Sequence, residues 1–107
     1  MQKKILIVDD DCNFVQRIMN SGTKNNIFSV ADSIHRADEI LKMDRFDLII
    51  ANSKVPGGSS LALKDKVNPD TRILFMSSLD SEYNKFRERG ELCCKKYELH
   101  DQYEALL

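Results

Sequence analysis

Phe46-Asp47-Leu48-Ile49-Ile50-Ala51-Asn52 is the stretch that decides the fold of this chain. Its apolar run predicts a strand over 47–51, buried on both faces as in a parallel sheet. Ser53-Lys54-Val55-Pro56-Gly57-Gly58 follows and reads as a turn. Three other apolar runs end in the same way, on polar residues. Ile5-Leu6-Ile7-Val8 runs into Asp9-Asp10-Asp11, Ile73-Leu74-Phe75-Met76 into Ser77-Ser78, and Leu92-Cys93-Cys94 into Lys95. Acids, a hydroxyl and a lysine therefore gather at strand C-terminal ends. At their centre stands Asn52, an amide that cannot serve as a nucleophile.

Helix signals alternate with these strands. Asp10 or Asp11 caps a first helix whose core face is Phe14, Val15, Ile18 and Met19, and Ser21-Gly22 stops it. Ile27–Ala31 is a second strand. Asp32-Ser33 caps a second helix with Ile34, Ala37, Ile40 and Leu41 inward. Gly57-Gly58-Ser59-Ser60 leads into a short third helix ending near Val67, and Asn68-Pro69-Asp70 is a turn before a strand over Arg72–Ser77. Asp80-Ser81 caps a fourth helix that Gly90 ends. Leu92–Cys94 is the fifth strand. Leu99, Tyr103, Leu106 and Leu107 share one face of a last helix of about two turns.

Strands and helices alternating along the chain predict an α/β fold with helices on both faces of a parallel sheet. At 107 residues the expectation is one domain over 1–107, with five strands in the flavodoxin-like, doubly wound order 2-1-3-4-5 and short helices 3, 4 and 5. Such a fold places its site at the C-terminal ends of strands 1 and 3, where Asp9, Asp10 and Asn52 fall.

Composition narrows the function. A net charge of −1 favours neither nucleic acid nor membrane as a partner, and no apolar run approaches a bilayer span. The apolar run after Lys3-Lys4 is too short for a signal-peptide core, so a cytoplasmic location is expected. Cys12, Cys93 and Cys94 read as reduced thiols. His35 and His100 are not spaced to join them in a zinc site, and neither has a partner that suggests catalysis.

The motifs Lys4-Ile5-Leu6-Ile7-Val8-Asp9-Asp10-Asp11, Phe46 through Gly57, Ile73 through Ser78, and Leu92-Cys93-Cys94-Lys95-Lys96-Tyr97, in this order and at these intervals, resemble those of a response-regulator receiver domain. The resemblance covers the whole chain. It implies that Asp9 and Asp10 match the acids that hold magnesium and that Ser77 matches the switch hydroxyl. It also implies that Lys95 matches the phosphate-pairing lysine and that Asn52 stands where the phosphoacceptor aspartate belongs, with Pro56 fixing the register.

Receiver chemistry is carboxylate attack on phosphorus, assisted by a divalent cation and a lysine. An amide oxygen carries no full negative charge, so Asn52 abolishes the usual acyl phosphate. Two carboxylates rather than three leave at best a weak Mg2+ site at Asp9 and Asp10, and no cofactor is required. Lys96 stands where the family often has a proline, and Leu92 where many members keep Tyr or Phe. Lys95 is expected as a counter-ion to the acid pair.

The expectation is a degenerate pseudo-receiver: a non-enzymatic two-component signalling module that works by phosphorylation-independent contact with a protein partner or a second copy. Its contact surface is expected around the fourth helix, fifth strand and fifth helix, at Tyr83, Phe86, Tyr97 and Tyr103. One alternative is a phosphoacceptor restored by deamidation of Asn52 or replaced by another residue. A second is a small-molecule binder on a flavodoxin-like fold, which the acidic Asp9-Asp10-Asp11-Cys12 loop disfavours because it offers a phosphate no cradle.

Overall fold

The computed structural model describes residues 2–21, 26–103 and 106–107. Gly22, part of the expected helix stop, lies outside them, as do the side chains of Ser21 and His100. The elements run β1 (Lys4–Val8), α1 (Cys12–Ser21), β2 (Ile27–Ala31), α2 (Ile34–Met43), β3 (Leu48–Asn52), β4 (Lys54–Val55) and β5 (Gly58–Ser59). A 3-10 helix over Ser60–Lys66 follows, then β6 (Arg72–Ser77), α3 (Asp80–Glu88), β7 (Cys93–Lys95), a 3-10 turn over Lys96–Glu98, and α4 (Leu99–Gln102).

β2-β1-β3-β6-β7 form a parallel sheet, the expected order 2-1-3-4-5 once the small β4-β5 hairpin is counted. Each strand alternates its side chains between two cores. Ile5, Ile7, Leu48, Ile50, Leu74, Met76 and Cys94 pack with Phe14, Val15 and Ile18 of α1 and with Leu99. Leu6, Val8, Ile49, Ala51 and Phe75 pack with Ala37 of α2, Leu63 and Phe86. Burial on both faces is why the strands read as unbroken apolar runs.

The helix caps follow the local chemistry. The Phe14 amide donates to Asp11 Oδ1 at 3.1 Å, so Asp11 is the residue that caps α1. Ser33 caps α2, accepting from the Arg36 amide at 3.0 Å. The φ of Gly90 is 76°, and behind it the Glu91 amide returns to the Phe86 carbonyl at 3.0 Å, closing the end of α3.

Several expectations are corrected. Met19 is 40% exposed and does not share the core face of α1. The N-cap of α3 is Leu79, without a side-chain bond, and Asp80 already lies in the first turn with its carboxylate turned to Lys95. The third helix is wholly 3-10, and α4 is one turn. The segment read as a turn after Asn52 contains the β4-β5 hairpin, with Lys54 opposite Ser59 and Val55 opposite Gly58. Gly57 closes that hairpin at φ 101°, where a Cβ would come within 3.2 Å of Ile34 Cβ.

Candidate functional site

The site is built at the C-terminal edge of the sheet. Val8 is paired with Ala51, so the next residues, Asp9 and Asn52, emerge side by side from β1 and β3. β3 also pairs with β6 (Asn52 opposite Met76) and β6 with β7 (Ser77 opposite Lys95), which brings Ser77 and Lys95 to the same edge. The predicted residues do converge on one end of the fold, but they separate into two ion-pair systems.

The first is centred on Asp9, whose side chain has no exposure. Its Oδ1 accepts the Asp11 amide at 3.0 Å. Its buried Oδ2 has the Lys96 ammonium 2.8 Å away, close but off the ideal hydrogen-bond direction. The same ammonium lies 3.7 Å from Asp11 Oδ2 and 4.4 Å from the Phe14 ring centre. Asp11 is held below the usual carboxylate range, first by the Phe14 amide and then, against some desolvation, by the Lys96 charge. Asp10 takes no part in this cluster. It is exposed and, with Asp9, Met19, Val30, Asp32 and Arg36, lines an open groove of about 500 Å³.

The second system is centred on Lys95, whose ammonium meets Asp80 Oδ1 at 2.5 Å and lies 5.4 Å from the Tyr83 ring centre. The Asp80 hydrogen bond raises the Lys95 pKa above its ordinary value. Ser77 is buried, and its Oγ accepts the Leu79 amide at 3.1 Å. This hydroxyl is bound to neighbouring backbone at the entry to α3.

The counter-ion of the buried acid is thus Lys96, not Lys95 as expected. Strand alternation explains the exchange. Cys94 packs on the α1 side and Lys96, two residues on, follows it there. Cys93 packs on the α3 side and Lys95 follows it. The period of two puts the two lysines on opposite sides, and the cores that Cys93 and Cys94 enter decide which side each takes.

Asn52 is fixed by the loop that follows it. Its Nδ2 donates to the Lys54 carbonyl at 2.9 Å, and its own carbonyl accepts Ser60 Oγ. The Ser60 amide returns to the Ser53 carbonyl at 3.0 Å, and Ile34 N to Pro56 O at 3.0 Å, so the hairpin is fastened to both β3 and α2.

The expected contact surface is reduced. Phe86 is 3% exposed and stacks on Phe75 at 4.7 Å, and Tyr103 has no exposure at all. Both belong to the core. α3 has few apolar residues and uses Phe86 to attach itself, while Tyr103 anchors the end of α4. Tyr97 is 74% exposed and Tyr83 is half-buried.

The resemblance to receiver domains implies a magnesium ion among the acids. As they stand these residues do not fit one: the buried Asp9 carboxylate already faces an ammonium, Asp10 is exposed and makes no contact with it, and the third position is a neutral amide. Among the described residues no cluster of three or more His, Cys, Asp or Glu side chains is placed to hold a metal ion. No described helix is long and apolar enough to cross a membrane.

The architecture is that of response-regulator receiver domains. A receiver domain of an HD domain-containing protein from Pseudomonas fluorescens superposes with a TM-score of 0.81 at 20% identity, over 98% of this chain and 86% of that one. A chemotaxis response regulator of Vibrio cholerae superposes with a TM-score of 0.79 at 18% identity over 100% of both chains. A Thermotoga maritima response regulator, solved in complex with Mg(2+)-BeF, gives 0.75 at 20% identity over 98% and 99%. No family model matches the chain, and no curated protein matches its sequence.

Proposed function

We propose that this chain is a pseudo-receiver: a two-component-type signalling module that acts through protein contact, without phosphoryl transfer and without enzymatic activity of its own. The observation that carries the reading is the Asn52 amide, whose N–H group donates to the Lys54 carbonyl at 2.9 Å. A carboxylate has no proton to donate there and would set oxygen against oxygen. The asparagine therefore has a structural partner that the usual acceptor aspartate could not have. The acyl phosphate of a receiver forms by attack of a carboxylate oxygen on phosphorus, and β3 ends on the Asn52 amide instead. Exposed Tyr97 and half-buried Tyr83 remain, beside Lys95, as the aromatic part of the expected contact face.

The direct test is intact-mass measurement after incubation with acetyl phosphate and MgCl2. The expected spectrum is that of the untreated protein. A phosphoryl adduct on Asn52, or on any substitute residue of the wild type, would defeat the reading. Resolution of the deamidated form in the same spectrum separates true absence of an acceptor from one regenerated at Asn52.

A further inference from the structure

We infer that the Lys96 ammonium is a built-in substitute for the divalent cation, occupying the acid pocket at the end of β1 and closing it to metal. The inference deepens the pseudo-receiver reading and rests on it: there the acceptor is gone, and here the cation half of the site has been replaced from within the chain.

Three features converge on one nitrogen. The fully buried Asp9 carboxylate lies 2.8 Å from it, Asp11 lies 3.7 Å from it, and the Phe14 ring lies 4.4 Å from it. Lys96 itself is largely covered, with a side chain only 16% exposed. The other Asp9 oxygen is committed to the Asp11 amide at 3.0 Å, so the carboxylate is used on both sides. A carboxylate buried this deeply requires a compensating charge, and an ammonium provides one without the octahedral oxygen shell that magnesium demands.

The placement is a consequence of chain geometry. Lys96 follows β7 on the α1 face and opens the 3-10 turn over Lys96–Glu98. That turn is steadied by Glu98, whose carboxylate accepts the Lys95 amide at 3.4 Å. An ammonium tethered beside the acid competes as an intramolecular ligand, at an effective concentration that a dissolved ion must overcome.

The test titrates wild type, Lys96→Met and Lys96→Arg with MnCl2 and follows paramagnetic broadening of the amide resonances of residues 9–11. Methionine keeps an unbranched chain against Phe14 but carries no charge, whereas arginine keeps the charge. Wild type and Lys96→Arg are expected to show no saturable broadening. Lys96→Met is expected to bind Mn2+ at least about tenfold more tightly than wild type. Equal affinity in wild type and Lys96→Met would overturn the inference, whether both bind or neither does.

Lysine acetylation of the wild type gives an independent measure should Lys96→Met fail to fold. The modification rate at Lys96 is expected to be indifferent to MnCl2. A rise with metal would show that the ion displaces the ammonium, and the inference would fall. None of these readouts involves phosphoryl chemistry. A phosphoryl adduct on the wild type would remove the functional reading, while Mn2+ binding to the wild type as tight as to Lys96→Met would remove this inference alone.

Discussion

Lys95 and Lys96 each hold an aspartate, at opposite sides of the same strand end. The Asp80 side chain that Lys95 meets is 78% exposed, whereas the Asp9 side chain that Lys96 meets is 0% exposed. The chemistry of the two pairs is the same, and the surroundings differ. In water a carboxylate is already well solvated, so its lysine adds little. In the interior the desolvation has been imposed by the fold, and loss of the partner leaves a charge with nothing to offset it. Burial, more than distance, is therefore the guide to what each pair contributes.

Substitution at Lys96 gives the largest expected effect. Lys96→Met should destabilise the fold by about 3 kcal/mol, measured by urea unfolding, because it strands Asp9. Adding Asp9→Asn removes the stranded charge while keeping an oxygen for the Asp11 amide. The double variant should recover to within about 1 kcal/mol of wild type. Additive losses in this pair would show that Asp9 and Lys96 are not coupled and would erase the contrast.

Lys95→Met should leave the melting temperature almost unchanged, and the small difference should vanish in high salt. A loss comparable to that of Lys96→Met would mean that the exposed pair matters as much as the buried one.

The smallest effect is expected in pH titration, and the two sides should respond at opposite extremes. The folded-state pKa of Asp11 lies below its ordinary 3.8, so the unfolded chain holds this proton more tightly. Its contribution is present above 3.8 and is lost as pH falls through the lower folded value. Lys95 is raised above 10.5, so its contribution is complete below 10.5 and is lost as pH rises through the higher folded value. Chemical shifts of the Asp11 carboxyl and the Lys95 ammonium should each follow one limb only.

Most of the sheet was legible because strands buried on both faces announce themselves as apolar runs, as Ile5–Val8 and Leu48–Ala51 do. The caps of α1 and α2 were legible to within a residue pair, Asp10 or Asp11 and Asp32-Ser33, of which Asp11 and Ser33 make the bonds. The β4-β5 hairpin was not, since two-residue strands carry no periodicity and depend on Gly57 fitting against Ile34. From the sequence, Phe86 and Tyr103 are expected on the contact face, although helix spacing aligns Tyr103 with Leu99. An amphipathic element with few apolar residues must spend them on attachment before any are left for a partner. The positions of Asp9, Asn52, Ser77 and Lys95 along the sheet edge followed from strand order. The identity of the buried acid's counter-ion did not, because it depends on which way β7 turns its last side chains.

That alternation also settles the reactivity of the paired cysteines. Cys93 and Cys94 are adjacent in sequence but enter opposite cores. Burial pushes the Cys94 thiol up to about 12 and raises Cys93 as well. Neither offers an appreciable thiolate at neutral pH, so peroxide and alkylating agents will find the exposed sulfur of Cys12 before either of them.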